Sequence, residues 1–195
     1  MALKLYAGPT SEPVTVSEAK SHCRVDITDD DTLIGTLITA ARQHVENVLR
    51  RALFTQTWDL VLDEWPWASG WITVPLAPLA SVTSVTYYDT AGTLYTLAAA
   101  SYTVDTVSEP GRIVLNDGYT WPSTSLRPAN PIYVRFVAGW STTGAIPQAI
   151  KQAILLLIGH WYENREALAT SGAIPKQLPL AVDALLAPYR VYRWV

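Results

Sequence analysis

Ile132-Tyr133-Val134-Arg135-Phe136-Val137-Ala138 leads through Gly139-Trp140-Ser141-Thr142-Thr143-Gly144 to Pro147-Gln148-Ala149-Ile150-Lys151-Gln152-Ala153-Ile154-Leu155-Leu156-Leu157-Ile158, and this stretch decides the fold. In its first part Ile132, Val134, Phe136 and Ala138 alternate with Tyr133, Arg135 and Val137, the two-residue period of a strand with one face on a core. In its second part the period lengthens. Ile150, Ala153, Ile154, Leu157 and Trp161 recur at three- and four-residue spacings, behind a proline placed where a helix loses nothing by lacking an N–H. A strand hands over to a helix that runs to about Glu163. Leu155, Leu156 and Ile158 make this helix apolar nearly all round, as expected of a core helix or of one at a subunit contact.

Upstream, from Gln56 to about Thr143, the chain is rich in Thr, Val, Trp and Tyr with Pro and Gly punctuation. Strands are expected at Trp58 to Leu62, Trp71 to Val74, Val82 to Tyr88, Thr93 to Leu97, Tyr102 to Val104 and Arg112 to Leu115, besides the one at 132–138. Asp89-Thr90-Ala91-Gly92 and Pro110-Gly111 have turn chemistry, since Pro presets φ and Gly accepts a positive one. Before Thr55 helical signals dominate. Thr15-Val16-Ser17-Glu18 fits a capping box opening a short helix that ends near Arg24. A second helix is expected from behind Asp29-Asp30-Asp31 to near Arg50-Arg51, each end carrying the charge that suits the helix dipole. Its apolar side reads Leu33, Leu37, Ala41, Val45, Val48 and Ala52, with Thr36, Thr39, Gln43, Glu46 and Arg50 mainly opposite. After a loop around Ser171-Gly172, Pro179 to Leu186 predicts a short helix, and Pro188 precedes the aromatic, basic end Tyr189 to Val195.

The fold class that follows is α+β: a helical core (two N-terminal helices, one long C-terminal helix and a short one) with an inserted antiparallel β region. The expected divisions are 1–55, 56–143 and 144–188, with 189–195 as a tail. The 195 residues are 49% hydrophobic and 16% charged, enough to bury a core. Seventeen acidic against fourteen basic residues give a net charge of −3, which argues against a sequence-independent grip on nucleic-acid phosphates. The single cysteine, Cys23, can make no internal disulfide. The first nine residues lack the sustained apolar run of a signal peptide, and no run approaches the ~20 apolar residues of a membrane span.

Convergent chemistry is missing. His22, His44 and His160 do not form a zinc-protease spacing, and His160-Trp161-Tyr162-Glu163 lacks the second histidine. Gly139-Trp140-Ser141-Thr142-Thr143-Gly144 places its second glycine one residue too far for a nucleophile elbow. No glycine-rich phosphate loop occurs. Asp29, Asp30 and Asp31 lack the alternating oxygens of a calcium loop and suit a helix start instead. Neither catalytic residues nor a metal or cofactor is expected. The competing function is carbohydrate binding on exposed Trp65, Trp67 and Trp71, with Asp59, Asp63 and Glu64 as conceivable glycosidase carboxylates.

Eight tryptophans and ten tyrosines stand against two phenylalanines. Trp and Tyr combine apolar area with a polar tip, which suits interfaces as well as the core of a small sheet. Residues 56–150 hold three basic and seven acidic residues, a net of −4, while 151–195 hold five and three, a net of +2. Such polarity suits head-to-tail assembly.

Several segments, in this order, resemble the head–tail connector, or adaptor, proteins of long-tailed double-stranded DNA phages and related gene transfer agents. They are Pro13-Val14-Thr15-Val16-Ser17-Glu18-Ala19-Lys20, Asp29-Asp30-Asp31-Thr32-Leu33-Ile34 and Arg51-Ala52-Leu53-Phe54-Thr55-Gln56-Thr57-Trp58, then Tyr102-Thr103-Val104-Asp105, Gly111-Arg112-Ile113 and Ala138-Gly139-Trp140. Ile146-Pro147-Gln148-Ala149-Ile150-Lys151-Gln152-Ala153, His160-Trp161-Tyr162-Glu163-Asn164-Arg165-Glu166 and Leu185-Leu186-Ala187-Pro188-Tyr189-Arg190 complete the likeness.

The resemblance implies a non-catalytic virion protein, made in the bacterial host cytoplasm. Twelve copies would form a ring beneath the portal, joining it to a stopper or tail-side protein and leaving a channel through which DNA passes without specific binding. No membrane is involved. Within that role Tyr189, Arg190, Tyr192, Arg193 and Trp194 are the expected portal-docking residues, because aromatic rings and guanidinium forks dominate binding hot spots. Trp161 and Tyr162 are the expected subunit-interface residues.

Overall fold

Helices and strands sort into two units in the computed structural model, which describes residues 1–164 and 180–192. The fold is α+β, with four α-helices and two antiparallel sheets among the described residues. One unit, residues 1–10 and 55–140, holds every strand; the other, residues 11–54, 141–164 and 180–192, holds every helix longer than one turn.

The strand unit contains β1 (Ala2–Ala7), β2 (Gln56–Leu62), β3 (Trp71–Val74), β4 (Leu79–Tyr88), β5 (Leu94–Thr96), β6 (Tyr102–Asp105), β7 (Gly111–Leu115) and β8 (Ile132–Ala138). They form a five-stranded sheet in the order β1-β2-β8-β4-β5 and a three-stranded sheet in the order β3-β7-β6, antiparallel throughout. β8 is central because its alternation gives it a dry face and two neighbours. Phe136 stands opposite Trp58 and Val82, Val134 opposite Leu60 and Val85, and Ile132 opposite Leu62 and Tyr87. Ile132, Val134 and Phe136 are fully buried, each stabilising by about 1.5–3 kcal/mol relative to exposure.

On the other side of that strand the charges pair. Asp59 of β2 accepts two hydrogen bonds from Arg135 of β8, at 2.8 and 2.9 Å, and the Arg135 guanidinium lies 3.6 Å from the ring centroid of Tyr6.

Turns obey their residues. Asp89 accepts from the N–H groups of Ala91 (2.9 Å) and Thr93 (2.8 Å), and Gly92 takes φ 82° to join β4 to β5. At the β6–β7 hairpin the Ser108 hydroxyl, the Arg112 guanidinium and the N–H groups of Ser108 and Val107 hold the Asp105 carboxyl well below the usual aspartate range. Gly111 opens β7 because a Cβ there would fall 2.5 Å from Leu79 Cδ2.

The helical unit contains α1 (Val16–Cys23), α2 (Asp31–Leu49), α3 (Gln148–Glu163) and α4 (Leu180–Leu186). The capping box at Thr15 is complete: Thr15 Oγ1 accepts from Glu18 N at 3.1 Å, and Glu18 accepts from Thr15 N at 2.7 Å, an arrangement that lowers the Glu18 pKa. α3 packs against α1, α2 and α4, and buries Ile150, Ala153, Ile154, Leu157 and Ile158. Among the described residues, no helix is long and apolar enough to cross a membrane.

Three expectations change. The N-terminal segment, expected as part of a helical region, contributes the strand β1, whose alternation Leu3-Lys4-Leu5 is the matching signal. The buried stripe of α2 is Ile34, Ile38, Ala41, Arg42, Val45 and Leu49, so Leu33, Leu37 and Val48 flank it and are only half-buried. Both rows are apolar, and packing chose the row that includes Ile34 and Ile38. Arg50 closes α2 in the left-handed region, at φ 56°, and Arg51 turns inward, so the helix has no basic residue in its last turn.

Candidate assembly surfaces

The expected contact residues that the structure describes each have an intrachain environment that defines what they can still offer a partner. Trp161 and Tyr162 sit in the last turn of α3, both half-buried. Trp161 meets His44 of α2 edge to face, with ring centroids 6.1 Å apart and planes at 82°. The Tyr162 hydroxyl donates to Asp30, the residue preceding α2. Asp30 therefore accepts a tyrosine hydrogen bond where the sequence predicted a helix start matched by charge alone, and its side chain makes no capping bond to the helix backbone.

Tyr189 and Arg190 also have structural duties. The buried Arg51 donates from Nε to the Tyr189 carbonyl oxygen at 2.6 Å, and Val191 N donates to the Leu49 carbonyl oxygen at 3.0 Å. The chain after α4 thus satisfies the Leu49 carbonyl at the end of α2, which a helix terminus otherwise leaves to solvent, and gives the Arg51 side chain an acceptor. Arg190 donates to Asp183 of α4 at 3.0 Å. Tyr192 is 65% exposed, so side-chain exposure returns one residue after the anchor. Arg193 and Trp194 lie outside the described residues.

The sugar-binding alternative loses its platform. Trp65 is only 2% exposed and stacks on Trp121 at 5.0 Å between centroids and 10° between planes, so it is a core residue of the strand unit. Trp67 and Trp71 are 59% and 39% exposed, and Arg112 approaches the Trp71 ring at 5.7 Å. The carboxylates are engaged separately: Asp59 by Arg135, and Asp63 by Asn130 N at 3.2 Å and the N-terminal amine at 3.4 Å. Trp65 was expected to be exposed beside Trp67 and Trp71, and its aromatic partner Trp121 lies too far along the chain for spacing to reveal its burial.

Among the described residues, no three His, Cys, Asp or Glu side chains converge as metal ligands. Burial raises the pKa of Cys23, with Glu163 adding to the shift, so this thiol is less ionised than an ordinary one. What the two units do present are edges and faces. β1 is exposed along its whole length, and Leu94 and Tyr95 of β5 are exposed at the opposite edge of the same sheet. Sequence reasoning missed the β1 surface because it missed the strand.

The chain belongs to the head completion protein family, whose model matches residues 12–192. It is similar to a chain in the neck of an empty gene transfer agent particle computed with C6 symmetry, at 26% identity and a TM-score of 0.80 over 100% of this chain and 98% of that one. A chain in the neck of a native gene transfer agent particle computed with C12 symmetry matches at 26% identity and a TM-score of 0.79, with the same coverage. A chain in the virion of a native gene transfer agent particle matches at 25% identity and a TM-score of 0.79, again over 100% and 98%. No curated protein matches the sequence.

Proposed function

We propose that this chain is a structural, non-catalytic virion protein. Its copies close into a ring of twelve at the head–tail junction, between the portal and a stopper or tail-side protein, around a channel for DNA. The observation that carries this reading is the end-to-end likeness to neck chains of particles computed with C6 and C12 symmetry, at a TM-score of 0.80 for the first and within a family matched over residues 12–192.

The division of labour follows from the two units. The helical unit supplies the subunit contact through the α3 end, where Trp161 and Tyr162 are only partly buried. The 56–143 insert supplies a weakly adhesive surface toward DNA. Its three arginines are already engaged: Arg112 with Asp105, Arg135 with Asp59, and Arg127 with the carbonyl oxygens of Ala129 and Asn130. With a net charge of −4 over residues 56–150, such a surface repels phosphates and lets DNA slide.

The docking element is the C-terminal tail. Tyr189 to Val191 anchor it on α2, and Tyr192, Arg193 and Trp194 reach the portal. This narrows the test. Cells producing particles without this chain should accumulate DNA-filled heads that bear no tails, and supplying the full chain should restore tailed particles. Supplying a chain that ends at Tyr192 should give a folded subunit and at least a tenfold loss of tailed particles. Tailed particles in normal numbers without the chain would refute the junction role, and normal numbers with the truncated chain would refute tail docking alone. A chain ending at Pro188 is a poor substitute, because it also removes the carbonyl that Arg51 needs.

A further inference from the structure

The chain that follows α4 runs antiparallel to the end of α2. Val191 N donates to the Leu49 carbonyl oxygen at 3.0 Å, and Arg51 Nε donates to the Tyr189 carbonyl oxygen at 2.6 Å, so the pairs 191–49 and 189–51 step in opposite directions along the two segments. That is the register of an antiparallel pair with one unusual rung. In a ladder the main-chain N–H of residue 51 would donate to residue 189. Here that group is already committed: Arg50 turns in the left-handed region at φ 56°, and the N–H groups of Arg50 and Arg51 both close onto the Glu46 carbonyl oxygen, the latter at 3.2 Å. The Arg51 side chain supplies the donor that its backbone cannot.

Burial makes this substitute rung a strong hold. Arg51 is 8% exposed, and a charged donor on a carbonyl oxygen away from water binds more tightly than a neutral one. Arg190 also ties the segment down by donating to Asp183, but the Asp183 side chain is 64% exposed, and such exposed pairs hold little. The acceptor on Tyr189 is a main-chain oxygen, so the guanidinium fixes the path of the backbone rather than the identity of the side chain there.

We infer that Arg51 is a positioning residue for the tail: its side chain holds residues 189–191 along α2 and so sets where the docking residues begin. This rests on the tail-docking reading above. A tail fixed as far as Val191 presents Tyr192 with little freedom left to lose, whereas a chain released back to α4 must order several more residues when it docks, and that ordering weakens binding.

The test compares two full-length variants that differ by one donor. Glutamine's Nε2 stands as many bonds from the backbone as arginine's Nε, and methionine puts a methyl group at the same place. Arg51→Gln therefore keeps the rung to Tyr189 and Arg51→Met removes it, while both lose the charge and the rest of the guanidinium. With Arg51→Met, amide exchange over residues 187–192 should speed up about tenfold or more and leave α1 and α3 unchanged, and tailed particles should fall by about tenfold. Arg51→Gln should stay within about twofold of the unchanged chain in both measurements. Equal behaviour of the two variants would overturn the inference. So would faster exchange across α1 and α3 with Arg51→Met, the mark of a residue that only holds the fold together. If Arg51→Met does not fold, Val191→Pro removes the other rung from the tail's side and leaves α2 intact. It should reproduce the local loosening and the loss of tailed particles, and normal numbers with it would overturn the inference. The chain ending at Tyr192 is run beside these variants. Normal numbers with that chain refute tail docking itself, whereas a loss with it but not with Arg51→Met refutes the positioning role alone.

Discussion

Arg42→Ala is expected to destabilise the helical unit by about 3–5 kcal/mol, the cost of stripping one partner from a buried ion pair. Arg42 is 6% exposed on α2 and donates to Glu12 from Nε and to Glu46 from Nη1, each at 2.7 Å. Burial pushes the Arg42 pKa down, and the hydrogen bonds and charges of the two carboxylates more than reverse it, so the guanidinium stays charged. The carboxylates have further work: Glu12 accepts from the Thr39 hydroxyl at 3.0 Å, and Glu46 accepts from Leu53 N at 2.9 Å just past the end of α2. Without the cation, both carboxylates lose their countercharge, and Glu46, at 13% side-chain exposure, is the more poorly screened of the two. Arg42→Met combined with Glu46→Gln should recover part of the loss, because it removes one of the stranded charges and keeps an acceptor for Leu53. Urea unfolding of the single and double variants measures both values. A loss below about 1 kcal/mol would mean that the triad behaves like a surface pair.

The second large effect lies in the strand unit. Trp65→Ala should cost about 3–5 kcal/mol, since it removes a fully buried indole and leaves a cavity that the surrounding sheet fills only in part. The loss is more than one side chain's contacts. Trp65 stacks on Trp121 and meets Tyr87 edge-on at 5.5 Å, and Tyr87 stacks on Tyr95 at 5.3 Å, so a continuous aromatic row runs from the core to the β5 edge. Trp67→Ala, two residues away at an exposed position, should change stability by no more than about 0.5 kcal/mol. Chemical denaturation followed by tryptophan emission distinguishes the two. Equal effects would mean that Trp65 does not hold the core that its burial describes.

What could be read from the sequence follows from where the physics is local. The capping box at Thr15, the alternation of β8 and the 3.6-residue period of α3 are each contained within a few turns or one strand, and each element formed where its residues place it. Strand ends moved by one to three residues where pairing extends beyond the alternating core, as β4 does in starting at Leu79. The losses came from long-range pairing. β1 is a strand because Ala2 to Ala7 find β2, fifty or more residues away, and its short Leu3-Lys4-Leu5 alternation does not reveal that partner. Likewise Trp65 is buried because of Trp121, and Tyr189 is anchored because Arg51 needs an acceptor. Aromatic surplus in the sequence did not separate core from surface: Trp65 and Trp121 are core, while Trp67 and Tyr192 are not. The contact residues proposed for Trp161 and Tyr162 were legible as an apolar helix end, but their partners His44 and Asp30 were not.

The likeness to neck chains joins these particulars into one claim, that copies of this chain close around the particle axis where head meets tail. An electron-microscopy reconstruction of the neck of particles built with it, computed first without imposed symmetry, bears on that claim most directly. The account predicts twelve copies in one closed layer around an open axial channel, in contact with the portal on one side and a tail-side protein on the other. Complete, tailed particles whose neck contains no copy of this chain, or holds it as isolated subunits off the axis, would contradict it.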